Sequence, residues 1–456
     1  MRVKGQNVLV VGFARSGLAS ANFLLKRGAR VTVTDRKDRA ELEDRIARLE
    51  GPVELSLGGH RRSDFLQSDW IVLSPGVPSD LPELAAAAGK GIPVYSEVEL
   101  AYRFLKGTFI GVTGSNGKTT TSTLIGKIFE AAGRPCRVAG NIGVPLVDCI
   151  ESAPASGEMT YVVEFSSFQL EHIERFRCRL AVVLNVTPDH QDRYAGFDDY
   201  VEAKGRIFAN QTEEDFAVLN ADNPHSRAMA AERRSRVCFF SRLEVLEEGV
   251  FAEEGTVYLG WKGRKQPLMR VGELRLKGNH NLENVLAAAA VGLLSEIPPE
   301  RMAGTFRGFP GVEHRLERVG EVQGVVFYND SKATNIDSAR HALEAFEEPL
   351  VVIMGGLDKG ADFSALKGPM RERVKKLVLI GQAADKIERS LGDRIGTLRA
   401  GRMDEAVHLA FSEAAPGDVV LLSPGCASFD MFEDFEHRGR VFKEAVRELG
   451  RSREVQ

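Results

Sequence analysis

Gly111-Val-Thr-Gly-Ser-Asn-Gly-Lys-Thr-Thr-Thr121 is the stretch that decides the reading of this chain. It follows the apolar, β-prone pair Phe109-Ile110 and leads into Leu124, Ile125, Ile128 and Phe129, which share one helical face. Gly114 and Gly117 let the backbone turn back on itself and aim its N–H groups at a phosphate. Lys118 then supplies a point charge for the β- and γ-phosphates, and Thr119 a hydroxyl for Mg²⁺. Ser115, Asn116 and Thr120 complete the loop, and the helix dipole beneath favours the same anion. The strict phosphate-loop pattern has glycine where Val112 stands, so this is a variant of it. A Gly-Lys-Thr-Thr run between strand and helix predicts binding of a nucleoside triphosphate.

Composition sets the frame. A chain of 456 residues is too long for one compact core and implies about three domains. The hydrophobic fraction of 43% and charged fraction of 27% are those of a globular protein. A net charge of −4 argues against general nucleic-acid binding, so an anionic substrate must meet local basic residues. Cys136, Cys149, Cys178, Cys238 and Cys426 are scattered and never form a CxxC pair. That fits reduced thiols in a cytoplasmic protein and argues against a disulfide frame or a thiolate zinc site. The chain starts a strand almost at once, with no signal-peptide region, and no apolar run is long enough to span a membrane.

Along its length the chain reads as an α/β protein of three domains. Residues 1–97 open as a Rossmann-like unit: strand Val8–Val11, a turn at Gly12–Gly17, a helix to Arg27, and strand Val31–Thr34 ending at Asp35. A dinucleotide site needs glycine where Ala14 stands, which weakens a nicotinamide reading. Strand Trp70–Leu73 ends in the tight turn Ser74-Pro75-Gly76, and a charged helical stretch, Glu97–Lys106, leads on. Residues 98–311 form the central phosphate-loop domain with a parallel sheet, strands falling at Tyr161–Phe165, Ala181–Asn185 and Phe216–Asn220. Alternation from Val237 to Leu276 suggests a small antiparallel appendage. Residues 312–456 form a C-terminal Rossmann-like domain with strands Val325–Tyr328, Leu350–Met354, Leu377–Ile380 and Val419–Leu422.

Polar clusters mark the carboxyl ends of these strands, where open α/β sheets place ligands. Glu164 can hold the nucleotide's Mg²⁺ or serve as an N-cap acid; the residues alone leave both open. His190 lies in Asn185-Val-Thr-Pro-Asp-His-Gln-Asp-Arg-Tyr194, where Asp189 and Asp192 are either ligands or turn formers. Lys204 sits on a helix, and the default for such a lysine is a solvated surface charge. Asn281 reads as the N-cap of a helix over Val285–Leu294, with Asn284 a candidate for an adenine edge. Arg315 can fork onto a phosphate. Asn329-Asp-Ser-Lys-Ala-Thr-Asn335, Gly355–Asp362 and Ser423–Phe435 place three polar loops on the tips of one sheet.

In combination, TGSNGKTTT, Glu164, NVTPDHQDRY, Lys204, GNHNLEN, the His314-Arg315 pair and YNDSKATN resemble the Mur ligases, the ATP-dependent amino-acid-adding enzymes of peptidoglycan synthesis. The resemblance runs the length of the chain. SPGVP, GNIG, VEFSSFQL, GGLDKGADF and LLSPGCASFDMFEDFEHRG set it on the branch that joins D-glutamate to UDP-N-acetylmuramoyl-L-alanine. One departure is expected: the interval from His190 to Lys204 is a residue shorter than in some relatives.

The resemblance implies a monomer working on small molecules. It implies ATP with two Mg²⁺ sites, the first at Thr119 and Glu164 and the second at His190 and a carbamylated Lys204. Only a neutral amine takes up CO₂, and at a pKa of about 10.4 roughly one lysine in 2,500 is neutral at pH 7. Burial must therefore depress Lys204. Asn284 and Asp330 are implied at adenine and ribose, and Arg315 and Lys332 near the phosphates. Asp35, Arg36 and Gly76 frame the uridine diphosphate, while Asn141 and His190 touch the muramoyl group. Thr334, Lys359, Ser428 and Phe435 hold the carboxylates of D-glutamate. Lys118, His190, Lys204 and Lys332 carry the chemistry, with the third domain closing over the second. Two other readings stay open. A folylpolyglutamate-synthase-like ligase lacks the opening domain, and a phosphate-loop switch turns over ATP without an amino acid.

Overall fold

The computed structural model describes residues 1–454 other than 142, 155, 190–192, 232, 277, 359 and 393–394. The chain divides into two compact units, Met1–Val271 with Glu283–Thr305, and Gly272–Leu282 with Phe306–Gln456. The first unit holds two sheets and the second holds one.

The first sheet comprises β1 (Asn7–Val11), β2 (Arg30–Asp35), β3 (Glu54–Leu57), β4 (Trp70–Leu73) and β5 (Val94–Ser96), in the order β3-β2-β1-β4-β5. All its pairings are parallel. Val8 to Val11 are buried throughout, as a strand covered on both faces requires. Strand order reverses at β1, so a crevice opens between the tips of β1 and β4. Gly12 turns the chain there with φ +86°, and a Cβ on it would lie 2.9 Å from the Ser74 Cβ.

The second sheet has nine strands: β6 (Thr108–Thr113), β7 (Cys136–Gly140), β8 (Thr160–Glu164), β9 (Leu180–Val183), β10 (Phe216–Asn220), β11 (Arg236–Ser241), β12 (Gly249–Glu253), β13 (Thr256–Trp261) and β14 (Arg264–Arg270). Their order is β14-β13-β12-β11-β10-β9-β6-β8-β7. This corrects the expected appendage. β11 and β12 continue the parallel sheet, and β13 alone runs antiparallel, pairing with β12 on one side and β14 on the other. β14 closes that edge with exposed Arg264, Lys265 and Gln266, which discourages further pairing. β6 lies between β8 and β9, so the phosphate loop leaves the sheet at a switch point.

The expected Glu97–Lys106 helix stops at Tyr102 and is packed rather than solvated. The Glu99 carboxylate accepts the N–H groups of Glu174, Arg175 and Phe176 and a bond from Arg103 Nε. Tyr102, Phe109, Phe165 and Phe176 pack edge-to-face or tilted in this core, with ring centroids about 5 Å apart. The helix Asn279–Leu294 begins before Asn281, so that residue lies inside the helix and is not its cap.

In the second unit β15 (Glu317–Val322) pairs antiparallel with β16 (Val325–Asn329). β17 (Leu350–Gly355), β18 (Val374–Ile380), β19 (Gly396–Arg399) and β20 (Val419–Leu422) complete a sheet ordered β15-β16-β20-β17-β18-β19. Side chains alternate across β17. Val352 and Met354 face the helices Ile336–Glu344 and Ala384–Leu391, while Val351 and Ile353 face Met403–Glu413 and Phe435–Glu454. The tips of β16, β17 and β20 therefore lie side by side and carry the three polar loops.

Candidate active site

The phosphate loop is clamped from the strand beside it. Ser115 N–H donates to the Asn185 carbonyl at 2.9 Å, and Asn116 N–H to Asn185 Oδ1 at 2.9 Å. Ser115 Oγ donates to Thr187 O at 2.9 Å and accepts Thr187 N–H at 3.0 Å. Val112 is buried within β6, so the residue that breaks the strict motif belongs to the strand and not to the turn. Gly117 caps the helix Lys118–Ala131 with φ +85°, and a Cβ on it would lie 2.1 Å from Asn284 Oδ1. Thr121 Oγ1 donates to that same oxygen at 3.2 Å. Asn284 thus sits buried beneath the loop.

Two ammonium groups converge on one carbonyl. Lys118 Nζ donates to Gly114 O and Ser115 O, both at 2.8 Å, and Lys204 Nζ donates to Gly114 O at 2.9 Å. Lys204 is 1% exposed, which overturns the surface-charge default. Its helix, Phe197–Gly205, turns Tyr200 and Ala203 into the core, and the ammonium lies 4.4 Å from the Tyr200 ring centroid. Burial, and next the charge of Lys118, hold Lys204 well below the ordinary lysine range, with Asp189 opposing them. This is the condition that carbamylation needs.

Glu164 closes β8 in register with Val112, level with the start of the loop, and is 2% exposed. Asn141 Nδ2 donates to its Oε1 at 3.2 Å, and Asn141 N–H to its carbonyl at 2.9 Å. The N-cap alternative fails, because Ser166 caps the following helix. A buried carboxylate and the Thr119 hydroxyl are hard oxygen donors of the kind Mg²⁺ takes. Lys204 as an ammonium has no lone pair to offer a metal; as a carbamate it would have carboxylate oxygens. His190 lies outside the described residues.

At the switch point of the first sheet, Asp35, Arg36, Gly76 and Asn141 all line one cavity of about 330 Å³, within the usual range for small-molecule sites. Asp35 Oδ2 accepts Phe13 N–H at 2.6 Å and Oδ1 accepts Lys37 N–H at 2.9 Å, so the acid orders both rims. Ala14 is the N-cap residue of the following helix, in an extended conformation, and lines the same cavity. Sequence reasoning missed His60, which lines the same cavity with Nδ1 3.0 Å from Thr34 Oγ1.

The second unit gathers its own cluster. Asp330 is buried at the end of β16; burial pushes its carboxyl up to about 7, against the pull of the Leu316 N–H and Arg315. Lys332 Nζ lies 3.7 Å from the Phe435 ring centroid, bringing together two residues expected to serve different ligands. Ser428 is buried in the loop after β20, and Thr334 follows Lys332 in the loop after β16. Lys359 lies outside the described residues.

Nucleotide loop, buried lysine and strand-tip acid define a nucleotide-dependent enzyme, and comparison with known proteins gives the class. Three domain families match in succession: the Mur ligase MurD-like N-terminal domain over residues 6–96, the Mur ligase middle domain over 112–292, and the Mur ligase glutamate ligase domain over 314–426. The chain belongs to the Mur ligase family. Within it, the similarity is to proteins named UDP-N-acetylmuramoylalanine–D-glutamate ligase. That of Acidobacterium capsulatum is 48% identical over 98% of this chain and 97% of its own length. That of Geotalea daltonii is 47% identical over 98% and 99%. Among solved structures, UDP-N-acetylmuramate-alanine ligase MurC from Thermotoga maritima shares the fold at a TM-score of 0.61 and 18% identity, over 97% of this chain and 99% of its own. MurF ligase from Thermotoga maritima, in complex with ADP, gives 0.60 and 16% over 92% and 95%.

Proposed function

We propose that this chain is a D-glutamate-adding ligase of peptidoglycan precursor synthesis, using ATP to join D-glutamate to UDP-N-acetylmuramoyl-L-alanine. The end-to-end identity of 48% with a ligase of that name carries the reading. The functional divisions are residues 1–97 for the uridine diphosphate substrate, 98–311 for ATP and 312–456 for the amino acid. It acts in the cytoplasm as a monomer. No described helix is long and apolar enough to cross a membrane.

The substrate carboxylate attacks the γ-phosphorus of ATP, the bond to the β,γ-bridging oxygen breaks, and an acyl phosphate and ADP result. The amine of D-glutamate then adds to the acyl carbon, loses a proton, and the tetrahedral intermediate expels phosphate. Two anions meet in the first step. Lys118 and the loop N–H groups offset that repulsion, each well-aimed donor contributing about 2.7–4 kcal/mol in a dry site. Mg²⁺ held by Thr119 and Glu164, and a second ion held by His190 and carbamylated Lys204, would neutralise charge on the phosphate oxygens. Carbamylation requires Lys204 to lose its ammonium proton first; the neutral nitrogen then bonds to the carbon of CO₂, one C–O π pair moves onto oxygen, and an N–H proton leaves to give the carbamate. Asn284 and Asp330 are assigned to adenosine, and Arg315 and Lys332 to phosphates. Asp35, Arg36, Gly76 and Asn141 are assigned to the UDP-muramoyl substrate. Thr334, Lys359, Ser428 and Phe435 are assigned to D-glutamate.

The test is phosphate release from ATP in the presence of UDP-N-acetylmuramoyl-L-alanine and each of a panel of amino acids. D-Glutamate alone is expected to trigger it, and ATP turnover without any amino acid would point instead to a phosphate-loop switch. The first-domain cavity makes a separate prediction. Titration with UDP-N-acetylmuramoyl-L-alanine should show binding in the range of about 1 μM–1 mM typical of enzyme substrates, and NADH and NADPH none. The Ala14 methyl group crowds the approach a dinucleotide pyrophosphate requires. Tight NADH binding abolished by Asp35→Ala would overturn this assignment.

A further inference from the structure

Arg438 is the largest fully buried side chain of the protein's described residues, at 0% exposure. It lies one turn into the helix Phe435–Glu454, on the face that Phe442, Ala445, Val446 and Leu449 continue into the core. Its Nε donates to Ser331 Oγ at 3.0 Å. Nη1 donates to Cys426 O and Ala427 O at 3.2 and 3.3 Å, and Nη2 to Ser331 O and Cys426 O at 2.8 and 3.2 Å. Every one of these acceptors is a neutral oxygen. Ser331 Oγ passes the chain on by donating to Phe435 O at 2.8 Å.

These bonds tie the loop after β16, which carries Asp330, Lys332 and Thr334, to the loop after β20, which carries Ser428. The loop after β17 joins them. Leu357 N–H donates to Ala427 O at 2.9 Å, and Ala427 N–H to Leu357 O at 3.1 Å. Gly356 makes the approach possible: its φ is +132°, and a Cβ there would lie 2.2 Å from Ala427 O and 3.2 Å from Arg438 Nη1. A guanidinium thus sits where three strand-tip loops meet. Five bonds from one planar group fix the loops' relative register more tightly than a single-point lysine can. Burial lowers its pKa to about 10, still charged at neutral pH, with Asp330 and Asp430 acting on it only at longer range.

We propose that Arg438 is a positioning residue for the amino-acid substrate. It sets the register of the loops bearing Thr334 and Ser428, and its buried charge, bonded only to neutral oxygens, favours an acidic amino acid. The proposal rests on the reading that these loops take D-glutamate. A charge that no contacting carboxylate neutralises lends its field to anions bound nearby, and the low dielectric around it preserves that field.

Steady-state KM values for D-glutamate, ATP and UDP-N-acetylmuramoyl-L-alanine, measured with thermal denaturation on Arg438→Gln, Arg438→Lys and Ser331→Ala, test this. Losing hydrogen bonds from a charged group is expected to raise the D-glutamate KM of Arg438→Gln by about ten- to a hundredfold, with the other two KM values nearly unchanged. Arg438→Lys should recover part of that loss, and Ser331→Ala, which keeps the charge and removes the hydroxyl's bonds to Arg438 and Phe435, should raise the D-glutamate KM several-fold. A parallel rise in all three KM values, or lowered thermal stability with an unchanged D-glutamate KM, would overturn the proposal. Equal defects in the Lys and Gln variants would overturn its charge component. Should Arg438→Gln fail to fold, an unchanged D-glutamate KM in Ser331→Ala overturns it. If the wild-type protein responds to another amino acid instead, the functional reading fails, and the same KM comparison with that amino acid decides the role of Arg438.

Discussion

Lys204→Ala is expected to cut ligase turnover by about 10²–10³-fold, the size of effect seen when one aimed catalytic group is removed. A small carboxylate such as acetate should restore part of it. The argument starts from the bond of Lys204 Nζ to Gly114 O, the carbonyl that also receives Lys118. Burial penalises the charge on Lys204 most, and the neighbouring Lys118 ammonium on the same oxygen adds repulsion. Both effects favour the neutral amine, the only form that adds CO₂. The carbamate carries a negative charge, so modification converts a repulsive contact with Lys118 into an attractive one. Acetate can enter the space the shortened side chain leaves and place oxygens where the proposed carbamate would hold them. Wild-type activity should also fall in CO₂-free buffer and return with bicarbonate. Near-wild-type turnover by unrescued Lys204→Ala would refute the carbamate. Loss of activity that no carboxylate relieves would reduce Lys204 to a structural ammonium.

The sequence made the strands with long apolar runs legible, and the polar loops that leave them. Trp70–Leu73, Phe216–Asn220 and Val419–Leu422 lie where their apolar runs place them, because strands covered on both faces consist of little else. Edge strands were harder. β7, Cys-Arg-Val-Ala-Gly, has too few apolar residues to stand out, since one side of it meets water. β11 to β14 show their period but not their partner, and the same alternation serves an appendage or a sheet extension. The inward lysine is hidden by the rule that helix lysines are usually solvated. Yet Tyr200, Ala203 and Ile207 mark the buried stripe of that segment, and Lys204, four residues after Tyr200, falls on it. Arg438 obeys the same rule three residues after Phe435, on the stripe that Phe442 and Leu449 extend. A cation on the apolar face of an amphipathic helix is a readable signal that burial has a purpose. Asp35, Arg36, Gly76 and Asn141 share one cavity only because β1 sits at a strand-order reversal, which no local pattern announces.

Lys118→Met should act at two places at once. The side chain keeps its length and apolar stem but loses the charge proposed to serve the nucleotide phosphates, so ATP affinity and turnover together should fall by about 10²–10³-fold. The second effect runs through Lys204. Burial is the larger cause of its depressed pKa and Lys118 the next, so removing Lys118 returns part of the shift and leaves more of Lys204 protonated at neutral pH. A smaller neutral fraction takes up less CO₂. The residual activity of Lys118→Met should therefore climb more steeply than wild type as pH rises above neutrality, and respond more strongly to added bicarbonate. The sign follows from the amine: raising pH removes the ammonium proton that the missing neighbour no longer helps to expel. The bonds that hold the loop make a folding defect an insufficient explanation, since the ties from Asn185 and Thr187 to Ser115 and Asn116 do not pass through Lys118. Measuring pH profiles of wild type and Lys118→Met at low and saturating bicarbonate separates the two effects. Identical profiles scaled by a constant would confine Lys118 to the phosphates and disprove its coupling to Lys204.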